Sequence, residues 1–499
     1  MKSMKSMMMG GAILLGLAMC LTSCEGTLDD IFGEWSRPTG NNGNTKTTVA
    51  VKSVTLDQTT LTKAVGDDAV TLTATVDPSD ASDKTVTWKS SDASIAAVDA
   101  NGKVTFEAAG TATITATATN GTDDTADDKT AECAVTVNAA AVPATSLSLD
   151  KTMKVLVKDG ATLTITPNVT PSAATVTWTS SKEAVAIVNN GVVTPVGLGI
   201  ATITAKSGDL TATCEVFVGN EVALSAAAYE AKNYDILKGN MGANSLTIPA
   251  GCHVAFNGVN TNRQIICSGD ATIYLTDGSE NEVTVSTTNK AGIQIGGTGT
   301  TLTINGETAG DGKLTVQGGS GAAGIGTNLD SAGGNIVING GTVTATGSGG
   351  GGAGIGTGET YTSTNECGTI TINGGTVTAT GGGYAAGIGT GYAYGKTNTC
   401  GAITINGGTV NATGGYYAAG IGTGYASHGG NNTCGAITIG TGVKSVTAKK
   451  SSSYPGPNSI GKGEAAYGGT QNCGTITIGG VVKAQSEFTG DTYTYTPAN

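Results

Sequence analysis

The C-terminal half of the 499-residue chain repeats itself about every 34 residues, and this period restricts the possible folds more than any other feature. A fixed period that contains several short β-type runs indicates one structural unit stacked on itself. Such a unit buries its apolar residues only against its neighbours. The tripeptide Ile-Asn-Gly begins at Ile304, Ile338, Ile372 and Ile405, and each copy is followed by Ala-Gly-Ile-Gly-Thr beginning at Ala323, Ala353, Ala386 and Ala419.

Each repeat holds three short runs in which apolar residues occupy alternate positions, which predicts three strands per coil of a parallel β-helix. In one repeat these runs are Ile370–Ile372, 377–379 and 387–389, and the earliest first strand is predicted at 273–275. We expect the β-helix to occupy residues 245–499. The asparagine of each corner is expected to accept a tight bend and to hydrogen-bond along the stack. The corner asparagines are Asn305, Asn339, Asn373 and Asn406.

Residues 219–244 have a different composition and are predicted to form a linker and a capping helix. The stretch 223–238 is rich in alanine and leucine, which are good helix formers, and Ser225 is a suitable N-cap. A solenoid also needs its open ends covered.

The preceding region contains two copies of a second unit, at residues 50–137 and 144–218. Thr-Val-Thr-Trp-Lys-Ser-Ser at 85–91 returns 90 residues later as Thr-Val-Thr-Trp-Thr-Ser-Ser. Short alternating runs broken by turn residues predict β-sandwiches, with Trp88 and Trp178 in the cores. These motifs resemble bacterial Ig-like domains of group two. The resemblance implies an all-β chain whose sandwiches act as spacers that present the β-helix.

The first 23 residues are predicted to be an export signal. Lys2 and Lys5 precede an apolar stretch at 10–21 that is too short to span a bilayer as a mature anchor. Leu-Thr-Ser-Cys at 21–24 resembles the lipobox of bacterial lipoproteins, which implies a lipid on Cys24 and attachment to the outer membrane. The acidic residues that follow resemble the export tag of surface lipoproteins of Gram-negative gut bacteria. Residues 24–49 are expected to be a flexible tether.

The charge of the chain argues against nucleic acid as a partner. The net charge is −12, and Arg37 and Arg263 are the only arginines. The isolated histidines and the absence of Cys-x-x-Cys argue against a zinc site, and no cofactor is expected. A loop with Asp123, Asp124, Asp127 and Asp128 is either a calcium site or, as we favour, a solvated acidic loop.

The cysteines leave two alternatives open. Cys133 and Cys214 hold equivalent positions in the sandwiches and are expected to be buried thiols. Cys252 and Cys267 either pair or stay separate. Four further cysteines precede the first strand of successive coils and form either disulfides between coils or a reduced ladder. They are Cys367, Cys400, Cys434 and Cys473.

The strongest candidates for a binding role are tyrosines that recur one coil apart. Exposed aromatic rows offer apolar faces to sugar rings, although tyrosines also pack loops against a cylinder. The candidate ligand-binding residues are Tyr384, Tyr392, Tyr394, Tyr416, Tyr417 and Tyr425.

Catalytic residues are hard to find in the repeats. Residues 314–395 contain no lysine or arginine, and their only acids, Asp330, Glu359 and Glu366, do not repeat as a pair. The repeats resemble noncatalytic carbohydrate-binding β-helix domains of bacterial surface proteins. We therefore predict a non-enzymatic surface lipoprotein that adheres to a glycan or to a host or bacterial surface ligand. The alternatives are a polysaccharide lyase or hydrolase and a purely structural surface component.

Overall fold

The computed structural model describes residues 48–120, 124–140, 142–308, 310–451 and 456–497. The predicted signal, Cys24, most of the tether and Asp123 lie outside these residues. The chain divides into two compact units, Met1–Ala140 and Ala141–Asn499. In the described part of the chain, no helix has the length and apolarity needed to cross a membrane.

The first unit contains a β-sandwich whose strands bury every second side chain. Its strands are β1 (Ser53–Leu56), β2 (Thr60–Ala64), β3 (Val70–Thr71), β4 (Ala74–Asp77), β5 (Val86–Ser90), β6 (Ala96–Val98), β7 (Lys103–Phe106), β8 (Gly110–Ala118) and β9 (Lys129–Asn138). They form the sheets β2-β9-β8-β5 and β3-β7-β6 and the pair β1-β4. Ile114 and Cys133 pair across β8 and β9 and are fully buried, and Trp88 packs against this core.

The second unit begins with a sandwich of the same construction. Its strands are β10 (Ser146–Leu149), β11 (Met153–Val157), β12 (Leu163–Thr164), β13 (Pro167–Thr170), β14 (Thr177–Ser180), β15 (Ala186–Asn189), β16 (Val192–Pro195), β17 (Gly199–Ser207) and β18 (Leu210–Leu224). Ile203 pairs with the buried Cys214, as Ile114 pairs with Cys133. Gly191 lies under the indole of Trp178, where a Cβ would come within 3.1 Å of the ring. The two predicted sandwiches are confirmed.

The predicted capping helix at 223–238 is wrong, because this stretch continues the sheet. The first part of β18 pairs antiparallel with β17, and its last five residues, Asn220–Leu224, pair in parallel with the next strand, at 235–239. Leu224, Ala231 and Leu237 point into the cylinder and are buried there. Burial of these side chains outweighs the helix propensity of the alanines, of which 226–228 remain exposed in a loop.

The second sandwich therefore covers the N-terminal end of the β-helix. Met153 and Phe217 of the sandwich pack with Ile236 and Tyr274 of the first coils. Lys154 Nζ lies 2.6 Å from Oε2 of Glu307, a carboxylate that is only 5% exposed. Burial raises the pKa of Glu307. Apolar contacts and a buried ion pair thus join the sandwich to the cylinder.

In the described residues, the β-helix and its closing segment contain 32 strands. The first are β19 (Tyr229–Glu230), β20 (Asp235–Asn240), β21 (Leu246–Ile248), β22 (Cys252–Thr261), β23 (Ile265–Cys267), β24 (Ala271–Leu275), β25 (Glu280–Thr284), β26 (Ile293–Gln294), β27 (Thr301–Gly306), β28 (Lys313–Ser320) and β29 (Ile325–Gly326). Next come β30 (Asn335–Ile338), β31 (Thr342–Ser348), β32 (Ile355–Gly356), β33 (Asn365–Cys367), β34 (Ile370–Ile372), β35 (Thr376–Thr380), β36 (Ile388–Gly389), β37 (Ala393–Tyr394), β38 (Thr397–Cys400), β39 (Ile403–Ile405) and β40 (Gly408–Thr413). The last are β41 (Ile421–Gly422), β42 (Ala426–Ser427), β43 (Asn431–Cys434), β44 (Ile437–Ile439), β45 (Val443–Lys449), β46 (Ile460–Gly461), β47 (Thr470–Cys473), β48 (Ile476–Ile478), β49 (Val481–Lys483) and β50 (Thr492–Tyr495).

Three long parallel stacks form the wall, which confirms the predicted fold. The first runs β20-β22-β24-β27-β30-β34-β39-β44-β48, the second β25-β28-β31-β35-β40-β45, and the third β19-β21-β23-β26-β29-β32-β36-β41-β46. A short fourth stack, β33-β38-β43-β47, and the pair β37-β42 were not predicted. Alignment of the first strands at 273–275 and 302–304 predicts that Ile273 pairs with Leu302, but Ile273 pairs with Ile304, a difference of two residues.

The inward side chains of the three stacks make one continuous apolar core. At the C-terminal end, β49 and β50 turn antiparallel to β48 and β45, which ends the parallel stacking. A 3-10 turn at Gln485–Phe488 lies between them, and its Phe488 is buried against the last coils. The solenoid is thus closed by its own C-terminal segment.

Polar ladders run alongside this core. The corner asparagines bond along the stack as predicted, with Nδ2–Oδ1 distances of 2.8, 2.8 and 2.9 Å. The left-handed residue of the corner is the second glycine, as at Gly341, Gly375 and Gly408, and not the asparagine. The eight cysteines of the described residues are free, so the four coil cysteines form the reduced ladder, in which Cys400 pairs in register with Cys367 and with Cys434.

Candidate functional site: a tyrosine patch on the β-helix

The tyrosines lie in the two turns that flank the third stack. Tyr384 and Tyr417 precede β36 and β41, and Tyr392 and Tyr425 follow them. Pairing of Ile388 with Ile421 places each tyrosine above its counterpart on the next coil. The amide of Tyr425 donates to the carbonyl of Tyr384 at 2.8 Å, so the turns before and after the strands meet on one surface.

Four of the rings form a two-by-two grid. The rings of Tyr384 and Tyr417 lie 6.1 Å apart and 7° from parallel, and those of Tyr392 and Tyr425 lie 5.4 Å apart and 15° from parallel. The two columns contact each other at 5.3 Å between Tyr384 and Tyr392 and at 5.0 Å between Tyr417 and Tyr425. The offset and tilted arrangements are those that aromatic rings prefer.

A further line of rings extends this grid. Tyr361 contacts Tyr394 at 5.4 Å, Tyr394 contacts His428 at 4.4 Å, and His428 contacts Tyr467 at 5.1 Å between ring centroids. The eight residues together are called the tyrosine patch: Tyr361, Tyr384, Tyr392, Tyr394, Tyr417, Tyr425, His428 and Tyr467. Sequence reasoning missed Tyr361, His428 and Tyr467, although Tyr361 stands 33 residues before Tyr394, which is one period of the repeat.

The patch has a buried base and an exposed surface. Tyr392 is 8% exposed, and its hydroxyl lies 2.5 Å from Ser427 Oγ, which lies 2.9 Å from Nδ1 of His428. Tyr361 and Tyr384, by contrast, are 44% and 37% exposed, and Tyr467 is 76% exposed. The anchored ring of Tyr392 therefore contacts three more exposed rings, those of Tyr361, Tyr384 and Tyr394.

Three residues of the patch adopt a left-handed backbone conformation. The φ angles are 62° at Tyr417, 54° at His428 and 49° at Tyr467. This conformation costs a bulky residue on the order of 1 kcal/mol. The rings of all three residues contact other rings of the patch.

Tyr416 does not share the position of the other five predicted residues. It is 52% exposed and lines a separate pocket of about 390 Å³ with Lys449 and the glycine segments 381–383 and 414–415. Adjacent residues of a turn point in different directions, and the 33-residue spacing that relates Tyr384 to Tyr417 has no partner at Tyr416. The structure thus brings together five of the six candidates.

A carboxyl group lies at one end of the patch. Glu359 is 4% exposed, and burial raises its pKa to about 6. The neighbouring Tyr361 acts in the opposite direction and lowers this pKa, but by less than burial raises it. Nearby Asp330 has a lowered pKa: burial alone would raise it, but hydrogen bonds from Thr362 and from the amides of Tyr361 and Ser363 favour its ionised form.

In the described ranges no three His, Cys, Asp or Glu side chains are grouped as metal ligands. The acidic loop at 123–128 contains Asp123, which lies outside those ranges, so its calcium alternative stays a prediction.

Comparison with known proteins identifies both kinds of domain. The model of the bacterial Ig-like domain (group 2) matches residues 50–128 and 143–216. The beta helix repeat model matches residues 336–359, 370–392 and 403–425. An Ig-like virion protein of Serratia phage KSP90 is 33% identical over 216 residues, which are 41% of this chain and 81% of that protein. The chain belongs to the bacterial Ig-like domain (group 2) family, and its C-terminal half carries beta helix repeats.

Other relatives share only part of their length. An uncharacterized protein of Clostridium acetobutylicum is 40% identical over 157 residues, and the match spans 30% of this chain and 15% of that protein. An alpha-L-arabinofuranosidase of Bifidobacterium longum subsp. longum is 43% identical over 118 residues, 23% of this chain and 10% of the relative. This chain therefore spans a small fraction of both proteins.

Solved structures match about a third of the chain. The S-layer protein rSbsC(31-844) is 21% identical with a TM-score of 0.17, and the match covers 36% of this chain and 29% of that one. A C-terminal fragment of intimin, solved with the intimin-binding domain of its translocated receptor, is 24% identical with a TM-score of 0.18. The match covers 34% of this chain and 64% of that one.

Proposed function

We propose that this chain is a non-enzymatic lipoprotein of the bacterial cell surface whose β-helix binds a glycan through the tyrosine patch. The observation that carries the proposal is the set of ring contacts that joins exposed tyrosines of successive coils. Stacked coils repeat the same chemical group at a regular spacing, and a polymer of sugar units repeats in the same manner.

The chemistry of tyrosine suits a sugar. The ring face covers the C–H groups of a pyranose, and the hydroxyl exchanges hydrogen bonds with sugar hydroxyls. Rings held in place by their neighbours lose little rotational freedom when a ligand binds, which favours affinity. The exposed faces of Tyr361, Tyr384 and Tyr394 supply this surface.

The hydrogen bonds of Asp330, one of the two carboxyl groups near the patch, support binding without turnover. Hydrolysis of a glycosidic bond generally needs two carboxyl groups that flank it, one of them free to act as base or nucleophile. The carboxylate of Asp330 is instead engaged by the amides of Tyr361, Thr362 and Ser363 and by the Thr362 hydroxyl. Asp330 therefore orders the turn that carries Tyr361.

Attachment through Cys24 is part of the same proposal and has its own test. Cells that express the full chain are labelled with a radioactive or alkyne-tagged fatty acid. The wild-type chain is expected to carry label in the membrane fraction and to be cleaved by protease added to intact cells. Cys24→Ala is expected to abolish the label. Persistence of label in Cys24→Ala would exclude this lipidation site.

Glycan binding is tested with the purified full chain carrying Cys24→Ala, applied to an array of bacterial, plant and host glycans. The double variant Tyr384→Ala, Tyr417→Ala serves as the matched control, because it removes one column of the grid. Retention by the parent chain and loss in the variant are expected. Equal retention of the two chains would show that the patch is not the binding site. Release of soluble oligosaccharides from a retained polymer would show that the chain is an enzyme that cleaves the glycan.

A further inference from the structure

Glu359 occupies the repeat position of two patch tyrosines. Thr360 pairs with Ala393, and Ala393 pairs with Ala426, so the preceding residues Glu359, Tyr392 and Tyr425 stand in one column on successive coils. The amide of Thr360 donates to the carbonyl of Tyr392 at 2.9 Å, which fixes this register. A carboxyl group thus stands where the next two coils place a ring.

The chain leaves room for this carboxyl group. Three glycines surround it, and a Cβ added at Gly351 would lie 2.9 Å from Cδ of Glu359. A Cβ at Gly350 or Gly321 would lie 3.1 or 3.2 Å from Oε2. Gly351 aligns with Tyr384 and Tyr417 in the following coils, so the glycine and the glutamate occur together in the coil where the ring grid ends.

One oxygen of this carboxyl group has an unused hydrogen-bonding capacity. Among the residues that the structure describes, none forms a hydrogen bond with Oε1 of Glu359, although this atom is buried. Buried polar atoms nearly always have a partner, and an exception calls for an explanation. The neighbouring Tyr361 is 44% exposed. Access of a ligand on the patch to Oε1 requires the ring of Tyr361 to move aside, and this movement is part of the proposal below.

We propose that Glu359 is the hydrogen-bonding anchor of the tyrosine patch and that it selects uncharged glycans over glycans that carry carboxylate or sulfate groups. This inference rests on the proposed glycan binding. A sugar unit that stacks beside the exposed ring of Tyr361 donates a hydroxyl hydrogen bond to Oε1. The same acceptor repels an anionic group.

The charges around the patch support this selection. Residues 314–395, which include Tyr361 and Tyr394, contain no lysine or arginine, although Lys396 follows directly and further lysines lie in the later coils; the whole chain carries a net charge of −12. The patch itself consists of seven tyrosines and His428 and contains no lysine or arginine. Recognition of carboxylate or sulfate relies on arginine or lysine donors, which the patch residues do not supply.

The test compares three purified full chains that carry Cys24→Ala: the parent, Glu359→Gln and Glu366→Gln. Glu366 belongs to the same coil but is exposed on β33, outside the patch, and serves as the matched control. The probes are cellohexaose, mannohexaose and xylohexaose, and cellohexaose oxidised at C6 to the oligoglucuronate. Affinity is measured by calorimetry, and the melting temperature of each chain is recorded.

The parent chain is expected to bind at least one neutral probe and to bind the oligoglucuronate at least tenfold more weakly than cellohexaose. Glu359→Gln should lower the affinity for neutral probes about tenfold and reduce the difference in affinity between neutral and anionic probes. Its melting temperature should be equal to that of the parent or higher. Glu366→Gln should match the parent.

Three results would overturn the inference, each in a distinguishable way. If the parent binds and Glu359→Gln binds equally well with the same selectivity, the anchor is refuted while the proposed function stands. If Glu359→Gln lowers the melting temperature sharply and Glu359→Asp, which keeps the charge, restores it, Glu359 is a structural residue and the inference falls. If the parent binds none of the probes and retains nothing on the array, the proposed function and the inference fall together.

Discussion

The corner asparagines and the patch tyrosines repeat with the same coil period but use their side chains differently. Asn305, Asn339, Asn373 and Asn406 bond to one another, each amide donating to the preceding one. The tyrosines contact one another through their rings, and outer ones such as Tyr361 and Tyr467 are largely exposed. The asparagines thus direct their hydrogen bonds to one another, whereas the outer tyrosines present surface to a partner.

Periodicity alone therefore does not separate a structural ladder from a binding surface. The useful distinction is whether the repeated groups satisfy each other. Glu359 fits this distinction, since it interrupts a column of rings with an acceptor that its neighbours do not fully use. The four predictions below test the distinction, beginning with the largest expected effect.

Removal of one ring column should nearly abolish binding while the fold persists. Tyr384→Ala with Tyr417→Ala is expected to weaken the affinity for a retained glycan about a hundredfold, because each stacked ring contributes on the order of 1 kcal/mol or more. The melting temperature should change by only a few degrees, since the apolar core lies beneath the patch. Calorimetry and thermal unfolding measure the two effects. A collapse of the fold would show that the tyrosines are packing residues.

The opposite pattern is expected for the asparagine ladder. Asn339→Ala with Asn373→Ala removes three side-chain hydrogen bonds and should lower the free energy of unfolding by about 2 to 3 kcal/mol. Glycan affinity should stay within a factor of two. Chemical unfolding of the variant beside the parent measures the loss. An unchanged stability together with weaker binding would invert the comparison between the two ladders.

Glu359 should make stability depend on pH. Its pKa in the folded chain, about 6, is above the ordinary value of 4.5, so the folded state favours the protonated form. The resulting stabilisation is fully present below pH 4.5 and is lost as the pH rises through 6. Between pH 4.5 and 7 the free energy of unfolding of the parent should therefore fall by about 2 kcal/mol relative to that of Glu359→Gln. The free energy of unfolding of both chains is measured by chemical unfolding across this pH range, and the same pH dependence in both chains would contradict this account.

Tyr416→Ala should have the smallest effect. Tyr416 lines the separate pocket beside Lys449, so its removal should change glycan affinity by less than twofold. The same calorimetric titration decides the matter, with the double variant of Tyr384 and Tyr417 as the positive control. A loss comparable to that of the double variant would extend the binding surface to this pocket.

The sequence was sufficient to predict the sandwiches and the cylinder because both rest on alternation of apolar side chains. Ile370 and Ile372, for example, point inward wherever neighbouring coils repeat them. The stretch 223–238 was mispredicted because its local propensity favours a helix, while three buried side chains and an adjacent strand favour a sheet. Propensity is a weak guide when tertiary packing competes with it.

The site was only partly predictable for a similar reason. Tyrosine spacing identified Tyr384 with Tyr417 and Tyr392 with Tyr425, because these pairs repeat the same residue type. Glu359 differs in type from the tyrosines above it, so a search for repeated residues passed over it. The sequence shows the relation of Glu359 to these tyrosines only through alignment of the repeats, because Thr-Gly-Glu at 357–359 aligns with Thr-Gly-Tyr in the next two coils. His428 and Tyr467 are brought together by turns whose lengths differ, and no spacing predicts that.

The strand β18 has a consequence for how this molecule transmits tension. One uninterrupted stretch of backbone belongs both to the second sandwich and to the first coil, and it is bonded to strands on either side of the transition. Rotation of the cylinder against the sandwich at this point would break those backbone hydrogen bonds. A force applied to the cylinder therefore acts on the hydrogen bonds and does not bend a flexible linker. Nor can the sandwich be exchanged for another module at residue 219 without severing the strand on which the cylinder starts.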